Sequence, residues 1–200
     1  MGDKKDWTKI SSGYYHSCGI RSGKVYCWGN INSLFDEEVT VPFQIGEHDD
    51  WEKVESGFFS SCGIRKGELY CWGYNFYGNI GNGTEEDADS PVRVGIENDW
   101  SALSMKSMHV CGIRSGEIYC WGSNAYGQIG NGITGYSEKV LSPHKADDYK
   151  DWTDVRTGAG ITCGIRSGEL YCWGWNGFGQ FGDGTVQSKT TTFATGTEIG

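Results

Sequence analysis

Eight cysteines carry the most regular chemistry in this chain of 200 residues, and all stand in the spacing Cys-x8-Cys. The pairs are Cys18 with Cys27, Cys62 with Cys71, Cys111 with Cys120 and Cys163 with Cys172. An even count at one fixed spacing favours four local disulfides. Zinc competes: His16 lies near Cys18 and Cys27, and His109 near Cys111 and Cys120. Ser60 and Ile161 fill that place in the other two groups, however, and a structural zinc site wants four ligands. Reduced thiols in a core are the third reading.

Other chemistry is weakly encoded. No serine sits in a Gly-x-Ser-x-Gly turn, and the glycine-rich loops lack the Lys-Ser/Thr of a phosphate-binding loop. We therefore expect a protein that is not an enzyme, with no catalytic residues, no cofactor and no metal. The chain has 17 basic and 26 acidic residues, a net charge of −9. That sign opposes nucleic-acid binding. The acidic residues gather at Asp36-Glu37-Glu38, Glu47-His48-Asp49-Asp50, Glu85-Glu86-Asp87 and Asp147-Asp148. They read as solvated loops or as a rim that attracts a basic partner. No apolar run approaches the ~18 residues of a membrane span, and Met1-Gly2-Asp3-Lys4-Lys5 does not read as a secretion signal.

The cysteines belong to a repeated phrase, Cys-Gly-Ile-Arg-x-Gly-x-φ-Tyr-Cys-Trp-Gly, at Cys18–Gly29, Cys62–Gly73, Cys111–Gly122 and Cys163–Gly174. Trp7, Trp51, Trp100 and Trp152 each stand eleven residues before a first cysteine, so the period is 44, 49 and 52 residues. Such a period means a propeller, solenoid or array. We read one domain, 1–200, with repeats 7–50, 51–99, 100–151 and 152–200.

Within a repeat, Lys66-Gly67 or its Ser-Gly counterpart separates two β-prone runs, as a two-residue hairpin turn does. Placing the turn there pairs Arg65 with Glu68, Ile64 with Leu69, Gly63 with Tyr70 and Cys62 with Cys71. The cysteines then fall on a non-hydrogen-bonded pair, with Cα atoms about 4.5 Å apart. Cys, Ile and Leu/Val share a core face, while Gly, Tyr and an Arg–Glu ion pair share the other, Tyr covering Gly. A first strand follows each leading Trp, as in Trp51-Glu52-Lys53-Val54. A fourth is Pro42–Ile45, Pro91–Val94 and Thr191–Ala194. Four-stranded antiparallel blades repeated about an axis make an all-β propeller.

The loop Trp121-Gly122-Ser123-Asn124-Ala125-Tyr126-Gly127-Gln128-Ile129-Gly130-Asn131-Gly132 recurs as Trp173 to Gly184, and as Trp72 to Gly83 with Asn79 for the glutamine. With Gly13-Tyr14-Tyr15-His16-Ser17-Cys18 before a glycine-turn hairpin, it resembles the regulator of chromosome condensation repeat. The resemblance covers essentially the whole chain. It implies blades of a propeller that typically closes with seven, and roles that include guanine-nucleotide exchange, chromatin binding, ultraviolet sensing and inhibition of a secreted enzyme. Only four repeats occur here, and neither a basic tail nor the Gly-Trp-Arg-His-Thr signature of the photoreceptor branch is present. Four repeats could close as a small ring, which we favour, or form a half-propeller arc completed by a second copy as a homodimer or belonging to a longer propeller.

The aromatic residues of the loops after the hairpins are the candidate partner-binding set: Tyr74, Phe76, Tyr77, Tyr126, Trp175 and Phe178. Rings on loops serve as protein-interface anchors, glycan-stacking platforms or packing between blades. The expected function is a recognition scaffold for a protein partner, extracellular or at the cell surface given its paired cysteines. A lectin and an exchange factor for a small GTPase are the alternatives. The charge balance predicts that labelled duplex DNA is not shifted by about micromolar protein at physiological salt. A clear shift would restore a chromatin-type role.

Overall fold

The computed structural model describes residues 5–31 and 39–195, so Met1-Gly2-Asp3-Lys4 and the acidic group Asp36-Glu37-Glu38 lie outside the described residues. Sixteen strands form four sheets of four. Blade one holds β1 (Trp7–Ser12), β2 (His16–Arg21), β3 (Lys24–Gly29) and β4 (Val39–Gln44). Blade two holds β5 (Trp51–Ser56), β6 (Ser60–Arg65), β7 (Glu68–Gly73) and β8 (Ala88–Arg93). Blade three holds β9 (Trp100–Lys106), β10 (His109–Arg114), β11 (Glu117–Ser123) and β12 (Lys139–Lys145). Blade four holds β13 (Trp152–Thr157), β14 (Ile161–Arg166), β15 (Glu169–Gly174) and β16 (Lys189–Ala194). Each sheet is ordered as its strands occur in the chain, and every described pairing is antiparallel.

The hairpin register is the expected one in every blade, including Cys62 opposite Cys71 and Arg65 opposite Glu68. Both turn residues have positive φ, 47° at Lys66 and 73° at Gly67. This is the conformation that matches strand twist across a two-residue turn. Disulfides join Cys18–Cys27, Cys62–Cys71, Cys111–Cys120 and Cys163–Cys172, with Cα atoms 4.0 to 4.1 Å apart. All eight cysteines are paired in this way. Strand β12, unassigned from sequence, pairs with β11 around Pro143.

Blades pack in chain order. The Cys-Ile-Val-Cys face of blade one covers Trp51, Val54 and Trp72 of blade two, and the same arrangement joins blades two to three and three to four. A one-residue bulge behind each leading Trp sets that ring opposite the hairpin arginine, as in Trp51↔Arg65. The ring lies flat over the β6 glycine or its equivalent: a Cβ on Gly63 would stand 2.8 Å from Trp51 Cζ3, and one on Gly112 the same from Trp100. Trp, not Tyr, is thus what covers the glycine.

The arginines also differ from expectation. Only Arg65 approaches its cross-strand Glu68, at 3.6 Å. Instead Arg21, Arg65, Arg114 and Arg166 each turn Nε to the aspartate just before the leading Trp, namely Asp6, Asp50, Asp99 and Asp151. Guanidinium groups also lie against the Trp and Tyr rings, 5.2 and 4.4 Å from those of Trp7 and Tyr26. The turn serines Ser22, Ser115 and Ser167 donate to the same aspartates. The reason is the bulge: it brings the residue before Trp within reach of both the arginine and the turn.

The described residues form an open half-propeller arc, not the small closed ring favoured from sequence. Packing joins successive blades, with nothing of comparable extent between blades four and one. Trp7 is 36% exposed whereas Trp51, Trp100 and Trp152 are 3 to 4% exposed. Ile165 and Leu170 of blade four are 39% and 46% exposed whereas their counterparts Ile64 and Leu69 are 1% and 0%. Both end blades therefore expose apolar side chains that are buried in the inner blades. Each blade junction is built from the same residue types, so the turn per blade is set locally, not by the number of blades.

Each disulfide closes a ten-residue loop, worth roughly 2–3 kcal/mol by loop entropy and less in a hairpin that is already local. Reduction should add about 8 Da to the intact mass, one hydrogen per thiol. Peptide mapping should find pairs only within blades. A pair bridging two blades would contradict the register.

Candidate functional site

Antiparallel order gives the arc two chemically distinct rims. One carries the β2–β3 type hairpin turns and the links between blades. It is a charged rim, and several of its acids are held in ion pairs. Asp50 receives Arg65 and Lys66, whose hydrogen bonds hold its carboxyl far below the usual range. Glu117 is likewise held low, by Lys145 first and then by Tyr119.

The other rim carries the turns after β1, β5, β9 and β13 and the loops leaving β7, β11 and β15. Each loop is built around a buried asparagine: Asn75, Asn124 and Asn176. Their Oδ1 atoms accept from the backbone N–H of Ile80, Ile129 and Phe181. Their Nδ2 groups donate to the carbonyls of Thr84, Ile133 and Thr185. One side chain thus satisfies both ends of a loop that has no ladder of its own. The glycines at its corners hold positive φ, as Gly78 (72°) and Gly81 (79°) do. With its backbone fixed from inside, the loop is free to vary outward.

On this rim the rings meet. Tyr14 stands 5.2 Å from Phe58, and Tyr15 stacks on Phe59 at 4.7 Å. Phe59 leads to Tyr74, Tyr74 to Phe76 and Phe76 to Tyr77. Across the next blade Tyr136 meets Tyr126, Tyr126 meets Trp175 at 5.8 Å, and Trp175 meets Phe178 at 4.9 Å. Tyr77 and Tyr136 share the walls of two adjoining hollows that link these series. One, of 370 Å³, is lined by Tyr77, Tyr126, Tyr136 and Trp175 together with Ser107 and Gln128. The other contains Lys139, whose ammonium lies 4.0 Å from the Phe76 ring centre and pairs with Glu85 at 2.6 Å.

All six sequence candidates, Tyr74, Phe76, Tyr77, Tyr126, Trp175 and Phe178, therefore lie on one rim. Tyr74, Phe76, Tyr126 and Phe178 are exposed, and Tyr77 and Trp175 are half-buried. Sequence reasoning missed Tyr14, Tyr15, Phe58, Phe59 and Tyr136. The signal was available, because a turn between first and second strands must share a rim with the loop leaving the third. The axial cleft formed by the inner strands is different in kind, with Lys9, Lys53, Glu55, Asp154 and Arg156 around 410 Å³. Burial pushes the Glu55 carboxyl up, against a hydrogen bond from Ser11 that favours its charged form. No group of three or more His, Cys, Asp or Glu among the described residues is placed to hold a metal ion.

A buried relay ties the rim to the blade junction. His109 Nε2 lies 2.9 Å from Thr162 Oγ1, and Thr162 donates to the carbonyl of Gln128. Since the threonine proton is committed to Gln128, the imidazole donates from Nε2, and its buried Nδ1 is left unprotonated without a partner. Gln128 Oε1 in turn accepts from the N–H of Tyr126. Burial lowers the pKa of His109 to about 3 and that of His16, which meets Ser61 at 2.7 Å, to about 4.

Comparison with known proteins agrees with this architecture. The family model of the regulator of chromosome condensation (RCC1) repeat matches residues 66–112 and 115–165, and a second model of that repeat matches residues 7–34. Together they cover more than half of the chain. No curated protein sequence matches it. Among solved structures it is similar to Prp20p from Saccharomyces cerevisiae, at 19% identity and a TM-score of 0.83, over 98% of this chain and 52% of that one. That structure is described with binding properties to Gsp1p and histones. Human WBSCR16 is similar at 17% identity and a TM-score of 0.81, over 94% of this chain and 51% of that one. The ectodomain of the Physcomitrella patens receptor kinase CR4 is similar at 23% identity and 0.54, over 85% and 41%. The chain thus spans about half the length or less of these structures.

The two histidines make stability depend on pH in a defined direction. The folded protein disfavours their protonation while the unfolded chain protonates near 6.5, so stability is full above about pH 6.5 and falls as pH drops toward the folded values of about 4 and 3. Each contributes a slope approaching about 1.4 kcal/mol per pH unit in that window. Urea midpoints measured from pH 7.5 to 5 should decline, and the His16→Gln, His109→Gln double variant should flatten that decline. A wild-type midpoint unchanged between pH 7 and 5 would refute the assignment.

Proposed function

We propose that this chain, which belongs to the RCC1 repeat family, is a recognition scaffold whose aromatic rim binds a protein partner. The observation that carries the reading is the run of rings from Tyr14 to Phe178, spanning all four blades on one rim. Exposed apolar area of this extent on a rigid frame is characteristic of interaction surfaces, and aromatic anchors dominate their energetics. Similar propellers support the class of activity, since structures of yeast RCC1 (Prp20) are described bound to Kap60 and with binding to Gsp1p and histones. Four disulfides suit an oxidising compartment, and we place the protein outside the cell or at its surface. The ectodomain of a receptor kinase carries a related fold.

One observation favours a second reading, glycan binding. The 370 Å³ hollow combines the rings of Tyr126, Tyr136 and Trp175 with the side chains of Ser107 and Gln128. Rings that stack on a sugar face beside hydrogen-bonding groups suit a saccharide. The exchange-factor alternative rests on fold likeness alone.

The deciding experiment compares wild type with the triple variant Phe76→Ala, Tyr126→Ala, Phe178→Ala and with a charged-rim control, Lys66→Ala. Partners captured from the native host in oxidising buffer should lose about tenfold or more in affinity with the triple variant and little with the control. Equal loss in both, or none in either, would place the binding surface elsewhere. Retained glycan-array binding by wild type, abolished by Trp175→Ala, would decide for the lectin.

A further inference from the structure

On both rims the molecule seats cations of its own in one way, between a ring and an acid. On the charged rim Arg166 stands 5.1 Å from the Tyr171 ring centre and pairs with Asp151 at 2.9 Å. Arg21, Arg65 and Arg114 lie likewise against Tyr26, Tyr70 and Tyr119, each beside its aspartate. On the aromatic rim Lys139 repeats the arrangement, 4.0 Å from the Phe76 ring centre and 2.6 Å from Glu85. The ring offers the negative face of its quadrupole and the acid a full counter-charge, so what such a pair recognises is a cation.

The loops of the aromatic rim carry both parts in excess of the cations that could fill them. Residues 74–87, 124–138 and 175–188 include Glu85, Glu86, Asp87, Glu138 and Asp183 but no lysine or arginine. The rings of Tyr77, Tyr126, Tyr136 and Trp175 wall a hollow of 370 Å³ that no charged side chain lines. Tyr126 stands 6.2 Å from Tyr136 and 5.8 Å from Trp175, so the three rings form one aromatic wall. Ser107 and Gln128 add oxygen acceptors to the same hollow. Glu138 is exposed, forms no ion pair among the described residues, and lines the adjoining hollow with Tyr77 and Tyr136.

We infer that this hollow receives an arginine side chain presented on a basic segment of the protein partner. The inference rests on the reading of this rim as a partner surface and names the chemistry that the surface selects. Arginine suits the hollow better than lysine, because a planar guanidinium stacks on a ring while the N–H groups at its edge donate to oxygen. The rings of Tyr126, Tyr136 and Trp175 take its face, Ser107 and Gln128 accept from its edge, and Glu138 supplies the counter-charge from next door. Rings and hydroxyls alone would serve a sugar equally well. The acids around them, on a chain of net charge −9, select a cation.

Labelled, capped peptides of alternating arginine and serine should bind the full chain, and polarisation titrations measure their affinity. Citrulline counterparts, equal in shape but neutral, should bind about tenfold or more weakly. Affinity for the arginine peptide should fall as salt rises to physiological strength. Tyr126→Leu and Tyr136→Leu keep apolar bulk but remove a π face, and together they should cost about tenfold. Glu138→Gln should weaken binding several-fold, whereas Asp148→Asn, the same change of charge on the other rim, should leave it unaltered. Retention of the four disulfides by mass, with an unchanged far-ultraviolet spectrum, establishes that each variant is folded. No binding of the arginine peptide, equal binding of its citrulline counterpart, or binding indifferent to both tyrosine substitutions would each overturn the inference. Native partners lost by the triple rim variant but bound regardless of salt would overturn it too, while leaving the rim as the partner surface. The rim reading itself fails by a separate readout, native partners indifferent to that triple variant.

Discussion

One contact governs this molecule: a tryptophan ring pressed flat between a glycine of its own blade and the Cys-Ile face of the preceding one. Trp100 shows its terms. A Cβ on Gly112 would lie 2.8 Å from the ring, while the other side is closed by the disulfide-bearing face of blade two. Burial of such a ring is worth, as an upper bound, about 4–6 kcal/mol at 25 cal/mol per Å². A local hairpin disulfide is worth less than its roughly 2–3 kcal/mol loop-entropy value. The ring thus sets the junction, and the disulfide supplies the flat, narrow surface on which it seats. The remaining parts of the repeat serve its placement: the bulge that puts it opposite arginine, the aspartate that holds the arginine, and the serine that ties the turn to that aspartate.

Because each junction is nearest-neighbour, the structure behaves as a one-dimensional stack bent into an arc. Its stability grows blade by blade, and nothing in blades two and three senses how many blades complete the ring. The end faces are therefore as apolar as internal ones. Chain order and antiparallel pairing also separate the rims without any special device. The hairpin turns at one rim are two residues long with both residues at positive φ, and here they read Ser-Gly or Lys-Gly, whereas the loops of the other rim are built around a buried asparagine and vary outward.

This division explains what was legible in the amino-acid sequence. The hairpin register was readable because a two-residue turn fixes it by counting, and so the cysteine pairs followed. The four blades were readable from the period. The aspartate latch was equally regular, since Asp6, Asp50, Asp99 and Asp151 each precede a leading Trp, but cross-strand logic alone points the arginines at Glu68, Glu117 and Glu169. Only the bulge redirects them. Strand β12 was obscured by the longer loop that precedes it. Closure was not readable, because it depends on a small rotation per junction that no single residue encodes. The rim rings were half legible: the loops after β7, β11 and β15 declared themselves, while Tyr14, Tyr15, Phe58 and Phe59 needed the rim assignment.

Comparison of the four repeats with one another separates frame from message. At the junction the residues recur: Trp, Gly, Cys, Ile, Arg and Asp stand in all four blades. At the turn after the first strand they do not, with Tyr14-Tyr15, Phe58-Phe59, Ser107-Met108 and Ala159-Gly160 in successive blades. The change has a shape. Large rings in the first two blades pack on one another and rise as a ridge, whereas the small residues Ser107, Ala159 and Gly160 leave the hollow walled by Tyr126, Tyr136 and Trp175. A frame that repeats and a rim that grades from ridge to hollow give that surface a direction along the arc. Stability does not require that gradation, because the loops are fixed from within by Asn75, Asn124 and Asn176 whatever stands outside.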